Sequence, residues 1–211
     1  MTTPWNDYYQ NIRQSLGGRQ NGFDFIFNYL KSLNRKVCII ETGTYREENN
    51  YTGDGCSTLL FDNFIHHYGG TLISIDIDPE ACKLAKANTK HAEIIESDSV
   101  EYLALLDGKC DLLYLDSYNI ENWNDDWAAA SHHLKELFAA KDIITSGTLI
   151  VIDDNITTPY NKRLGKGRLV YELMDALVIE PVIDNYQVGW IWEEASLQDG
   201  GEHPIYEPTD T

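Results

Sequence analysis

The chain has 211 residues and 24.1 kDa, the size of a single domain, and its 43% hydrophobic content suits a packed core and excludes wholesale disorder. With 34 acidic against 16 basic residues the formal charge is -18, which argues against a nucleic-acid partner, because phosphate binding needs a positive surface. No apolar run approaches the ~20 residues that span a bilayer. The start, Met1-Thr-Thr-Pro-Trp-Asn-Asp7, is not a basic-then-apolar leader, and Cys38, Cys56, Cys82 and Cys110 form no CxxC pair, so a cytoplasmic protein with free thiols and no membrane partner is expected.

In chain order, residues 1–35 form a predicted N-terminal helical cap. Helices are expected over 5–16 and 22–33, separated by the punctuation Gly17-Gly-Arg-Gln-Asn-Gly22. In the second, Phe23, Ile26, Phe27, Leu30 and Leu33 recur at helical spacing and make one apolar face. From residue 36 to 193 a regular alternation follows. Strands are expected at Val37–Ile40, Thr71–Ile75, Ala92–Ile95, Asp111–Leu115 and Thr148–Ile152. Between them lie helices at Ser57–Tyr68, Pro79–Asn88, Ser99–Leu106 and 125–140; Arg168–Val178 is a further helix. Ile179–Asp184 and Val188–Trp192 read as two closing strands meeting at Asn185. Alternation of this kind predicts an α/β fold, a mostly parallel sheet with helices on both faces. Residues 194–211 form an acidic tail without lysine or arginine.

An acid stands at each strand end, where such a sheet opens its ligand crevice. Strand one gives Glu41, strand two Asp76 and Asp78, the turn after strand three Asp98, strand four Asp116, and strand five Asp153, Asp154 and Asn155. One such acid commonly caps the next helix, and Asp98 before Ser99-Val-Glu101 fits that role equally well. Five in succession on one rim are a pattern. A dinucleotide pyrophosphate wants backbone N–H groups and little negative charge nearby. The loop after strand one instead carries Glu41, Glu47, Glu48 and Asp54 against Arg46 alone, and its Gly43 and Gly55 do not make GxGxxG. An acid-rich rim favours a nucleoside bearing positive charge, such as a sulfonium with an ammonium group.

With these motifs the chain resembles the class I S-adenosylmethionine-dependent methyltransferases over about residues 36–192. Glu41-Thr-Gly-Thr44 resembles the first glycine motif and Gly55-Cys-Ser-Thr58 its helix-entry half. Ile75-Asp-Ile-Asp-Pro79 is similar to the second strand end, and Ser97-Asp-Ser99 to the adenine turn. Asp111-Leu-Leu-Tyr-Leu-Asp116 resembles the fourth-strand motif. The resemblance implies a Rossmann-like methyltransferase fold with a seven-stranded sheet whose last strand is antiparallel. It implies S-adenosyl-L-methionine held by Glu41, Thr42, Gly43, Gly55, Ser57, Asp76, Ile77, Asp98, Ser99 and Asp116, with Asp76 on the ribose hydroxyls. The departure from the pattern is the insertion 45–54, which reads as a candidate lid.

Within that family the metal-dependent small-molecule O-methyltransferases pair a fourth-strand Asp with Asp-Asp or Asp-Asn after strand five. Asp116 with Asp153-Asp154-Asn155 is similar to this. The resemblance implies Mg²⁺ or Ca²⁺ on Asp116, Asp153 and Asp154, with Asn155 as the alternative third ligand, and hard oxygen ligands suit such ions. The plain alternative is that Asp153-Asp154-Asn155 ends a strand and starts a turn. Asp116 and His133 are the catalytic candidates; the lysine that catechol-type relatives carry after strand four is absent from Ser117-Tyr-Asn119. Of His132 and His133 at most one faces the crevice, and helical histidines more often pack or face solvent. Lys166 and Arg168 either hold an anionic substrate or are the solvated entry to the next helix.

The leading expectation is therefore metal-assisted O-methylation of a small hydroxylated molecule, by a chain for which a homo-oligomer is open. The competing readings are a catalytically silent S-adenosylmethionine-binding or scaffold protein, and an NAD-dependent oxidoreductase, which the acidic loop and closing hairpin disfavour.

Overall fold

The computed structural model describes residues 4–48, 50–53, 56–123, 125–160 and 162–193. Helix α1 (Pro4–Arg13) runs into a 3-10 turn (Gln14–Arg19) and then α2 (Gln20–Ser32). Then come β1 (Val37–Thr42), α3 (Cys56–Tyr68), β2 (Gly70–Asp76), α4 (Pro79–Asn88), β3 (Glu93–Glu96), α5 (Ser99–Leu103) and β4 (Leu112–Leu115). Helix α6 (Trp127–Ala139), β5 (Leu149–Ile152), β6 (Asn155–Thr157), β7 (Arg163–Gly165), α7 (Arg168–Ala176), β8 (Ile183–Asp184) and β9 (Val188–Ile191) complete the chain.

Seven strands form one sheet in the order β3-β2-β1-β4-β5-β9-β8. The first five are mutually parallel and β9 is antiparallel to β5. The strands read as unbroken apolar runs because both faces are covered. Alternate residues divide between two cores. Ile39, Leu112, Tyr114, Leu149 and Val151 pack under α1, α2 and α3, while Ile40, Leu113, Leu115, Ile150 and Ile152 pack under α6 and α7. The predicted apolar face of α2 lies in the first core, where Phe27 meets Trp5 and Tyr9 edge-on and stacks on Phe64.

Three local expectations change. The glycine punctuation at 17–22 does not break the chain into a loop: Gly17 takes a left-handed kink (φ 55) and the helix resumes at Gln20. Gly22 is a helical residue whose missing Cβ leaves room for Gln187, whose Oε1 would lie 1.9 Å from it. The strand expected over 179–184 shrinks to Ile183–Asp184, consistent with Pro181, which has no N–H to give a ladder. The hairpin of β6 and β7 has no counterpart among the elements expected from the sequence, and it carries the chain from β5 back across the strand ends. The acidic tail 194–211 lies outside the described residues.

Candidate active site

The strand order reverses between β1 and β4, and at that point the two chains approach so closely that only glycine fits. Gly43 has φ +82, and a Cβ on it would lie 2.5 Å from the carbonyl oxygen of Asp116. Its N–H donates to Ile75 O (2.8 Å), and Asp116 N–H donates to Thr42 O (2.9 Å). Asp76, Asp98 and Asp116 thereby share one rim, as the strand ends predict. Beside it opens a cavity of about 260 Å³ lined by Ile75, Asp76, Ile77, Asp98, Ser99, Ser117, Tyr118 and His132. A larger cleft of about 650 Å³, among Arg35, Lys36, Lys109 and Thr148, lies at the other ends of the strands, away from these acids.

The main chain aims Asp76. Its two oxygens accept from Thr44 N–H and Asp78 N–H, both at 2.9 Å. From the insertion, Arg46 reaches Asp76 at 3.6 Å and Asn119 at 3.4 Å, laying a guanidinium across the crevice. Asp98 does two things at once: it caps α5 through Glu101 N–H (3.0 Å) and lines the cavity. Exposed Ile77 and half-exposed Tyr118 form walls of the same space. Gly55 lies outside the described residues.

Glu41 points the other way, beneath the turn, fully buried on the α3 face with Ser74 Oγ donating to it at 2.6 Å. Burial pushes its carboxyl up to about 7, with the neighbouring hydroxyls of Ser57, Ser74 and Thr58 pulling the other way. Its second oxygen, together with Thr44 Oγ1 and Thr58 Oγ1, is buried without a hydrogen-bond partner. Buried polar groups are ordinarily satisfied, so a cluster of unmatched atoms at the strand-one turn fits a polar ligand there. The raised value has a sign for stability. Native Glu41 keeps its proton at pH values where the unfolded chain releases it, so its contribution is full below about 4.5 and fades as pH rises through about 7. Urea unfolding from pH 5 to 8 is expected to show Glu41→Gln gaining on the native chain, by on the order of 3 kcal/mol at the upper end. A constant difference across that range would contradict it.

The acids beyond β4 and β5 do converge, but on two cations. Lys166, 1% exposed, sits in contact with Asp116 Oδ1 and 2.9 Å from Asp154 Oδ2. Arg19, 4% exposed, donates to Asp153 Oδ2 (2.6 Å) and Asp154 Oδ1 (3.0 Å) and also to the carbonyl of Thr52 in the insertion. Tyr114 donates its hydroxyl to Asp153 (2.5 Å), Tyr186 to Asp154 (2.6 Å), and Asp153 Oδ1 accepts Asp154 N–H (2.8 Å). Asn155 is held by the backbone: its amide donates to Ile152 O and Asp153 O, and its oxygen accepts Gly167 N–H.

This donor set does not fit Mg²⁺ or Ca²⁺. Such ions need several free oxygens directed at one point, whereas both oxygens of Asp153 and of Asp154 already hold donors. Among the described residues no group of three or more His, Cys, Asp or Glu is arranged for a metal. The metal centre expected at Asp116, Asp153 and Asp154, with Asn155 as alternative, is thus an ion network, because two cations from distant segments fold into it. Burial drives the Asp116 carboxyl up to about 8, helped by Asp153 and Asp154 and opposed by Lys166. Burial pulls the Lys166 ammonium down, but Asp116 and Asp154 outweigh it, so the ammonium keeps its proton.

His133 is corrected as a catalytic candidate. It is fully buried, with Nδ1 2.7 Å from Ala129 O, and burial lowers it to about 4, so it packs as a neutral ring. His132 is the one on the cavity, with Nε2 3.2 Å from Ser99 Oγ and 3.3 Å from Glu136 Oε1. Burial opposes ionisation of Glu136, yet His133 and hydrogen bonds from His132, Ser117 and Ser99 hold it down to about 2. Arg168 pairs with Asp126 (2.9 Å) and lies over Trp127, so it braces the start of α7.

A family model described as a methyltransferase domain matches residues 52–155, just under half of the chain. No curated protein sequence matches. Among solved structures, the fold is similar to MycE, a methyltransferase from the mycinamycin biosynthetic pathway in complex with Mg, S-adenosylhomocysteine and mycinamycin VI. The TM-score is 0.58 at 16% identity, covering 89% of this chain and 52% of that one, so this chain spans about half the length of MycE. It is also similar to the sugar N-methyltransferase KedS8 from Streptoalloteichus sp ATCC 53650, with TM-score 0.53 and 9% identity over 92% of this chain and 94% of that one. At such identities the likeness is one of fold, and the fold is the Rossmann-like methyltransferase fold with its antiparallel strand. Residues 52–155 thus match a methyltransferase domain, and the strand-end crevice opens within a methyltransferase-like fold.

Proposed function

We propose that the chain methylates a hydroxyl of a small molecule, with Asp116 receiving the hydroxyl proton. The observation that carries this is the place of Asp116. It stands at the strand-order reversal, against Gly43 on the cofactor side and Lys166 on the other. Its raised proton affinity, about 8, is what a general base near neutral pH requires. When bound, S-adenosyl-L-methionine supplies an electrophilic methyl group on a sulfonium.

The chain's own residues account for the remaining tasks. Asp76, aimed by Thr44 and Asp78 N–H groups, is a ready acceptor for ribose hydroxyls. Ile77, Asp98, Ser99 and Tyr118 line the space for the base. Thr42, Gly43 and the unmatched oxygens of Glu41, Thr44 and Thr58, with Ser57, make the turn that would receive the amino-acid end. Arg46 leaves Asp76 when a ribose takes its place, which couples the insertion to cofactor entry. A net charge of -18 disfavours a polyanionic acceptor and supports a small one.

Calorimetric titration tests the reading. S-adenosylmethionine and S-adenosylhomocysteine are expected to bind and NAD is not. Asp76→Ala, checked by circular dichroism, is expected to weaken that binding by about tenfold to a hundredfold, the cost of a lost charged hydrogen bond. NAD binding without S-adenosylmethionine binding would reject the proposal in favour of a dehydrogenase. Cofactor binding without methyl transfer to any hydroxylated acceptor would favour the silent binding protein.

A further inference from the structure

The network of Asp116, Asp153, Asp154, Lys166 and Arg19 does more than fail to offer a metal site. With all three acids ionised, three carboxylates and two cations leave one net negative charge, the same charge that a single divalent ion would leave on those carboxylates. Lys166 also has the geometry of a bridging ion. Its ammonium touches Asp116 Oδ1, lies 3.2 Å from the Asp116 carbonyl and 2.9 Å from Asp154 Oδ2, and so joins the ends of β4 and β5.

The backbone around Lys166 is built to hold it there. Lys166 N–H donates to Asp154 O (3.1 Å), Gly165 N–H to Asp126 Oδ2 (2.7 Å), and Gly167 N–H to Asn155 Oδ1 (2.8 Å). Gly165 has φ +119, and a Cβ there would lie 2.2 Å from Asp154 O, so the residue before the lysine has to be glycine. Asp154 itself takes a left-handed conformation (φ 55), which turns the chain from β5 into the hairpin that returns Lys166 to the strand ends. A solvated lysine at a helix entry would need none of this.

We infer that Lys166, seconded by Arg19, stands in the place of a divalent cation, so that the carboxylate cluster takes up no divalent metal while the lysine is present. Lys166 is a positioning residue in this scheme. It holds Asp116 at the crevice and keeps a fixed positive charge on the acceptor side.

The test reads cation binding directly and does not depend on the methyl-transfer proposal. Mn²⁺ is titrated into the full chain and followed by electron paramagnetic resonance of the free ion. The wild type and Asp154→Asn are expected to bind Mn²⁺ alike, through weak surface sites alone. Lys166→Ala is expected to gain one further site, about tenfold or more tighter than those, that Lys166→Ala with Asp116→Asn loses again. Saturable Mn²⁺ binding by the wild type that Asp154→Asn abolishes would overturn the inference. So would a folded Lys166→Ala protein that binds no more Mn²⁺ than the wild type. The comparison of wild type with Asp154→Asn holds whether or not the lysine variant folds.

Discussion

Replacing Asp116 by asparagine is expected to lower methyl-transfer turnover by about 10²- to 10⁴-fold, the range over which a positioned base accelerates a reaction. That corresponds to about 3–5 kcal/mol of lost transition-state stabilisation. Asparagine keeps the shape and one hydrogen bond to Lys166 but cannot take the proton. The pH profile separates this from a structural effect. Asp116 is active when deprotonated, so the wild-type rate is expected to rise as pH increases through about 8, where burial has placed it. In Asp116→Asn the residual rate should lose that rise. Cofactor affinity should change far less than turnover, since Asp76 and the strand-one turn are left in place. A variant that keeps wild-type turnover would remove Asp116 from the mechanism.

Arg19→Leu is expected to cost about 3–5 kcal/mol of stability, because it strands the buried carboxylate of Asp153 without its cation. Set against a typical domain stability of about 5–15 kcal/mol, this is a large fraction. In a domain of this size the midpoint should drop by roughly 10 °C. Arg19 does not act through Asp153 alone: it also holds Asp154, the Thr52 carbonyl and the face of Tyr186 at 5.1 Å. The double variant Arg19→Leu with Asp153→Asn is therefore expected to recover part of the loss, not all of it. Urea unfolding of the two singles and the double gives the coupling energy directly. If Arg19→Leu falls within about 0.5 kcal/mol of wild type, the pair is no more than a surface ion pair.

The same two sites show where local reading succeeds and where it stops. The unbroken apolar runs of β1, β4 and β5 are a signature of strands covered on both faces, so the alternation and the sheet type are legible from composition and period. The acids at 76, 98, 116 and 153–154 are likewise legible as one rim, because parallel strands all end on the same side, whereas Glu41 of the same row turns beneath it. Along each strand the period of two puts Tyr114 and Val151 on one face, and Asp116 and Asp153 continue it towards α1–α3. Local pattern does not distinguish His132 from His133. Adjacent helical residues differ by about 100° in direction, and only the packing of α6 decides which one meets the cavity.

What the sequence determined by itself is the scaffold: a parallel sheet, a glycine turn after strand one, and a row of acids at the strand ends. What the tertiary structure alone decided is how that rim is neutralised. Arg19 arrives from 134 residues upstream of Asp153, through a kink that reads locally as a loop. Lys166 arrives from 50 residues beyond Asp116, on a hairpin of two three-residue strands too short to announce themselves. Local propensity and periodicity describe neighbours along the chain, while an ion pair depends on which distant segments meet in space. A row of acids can be read from its letters; its counter-charges, here two side chains in the place of a metal, are set by the fold.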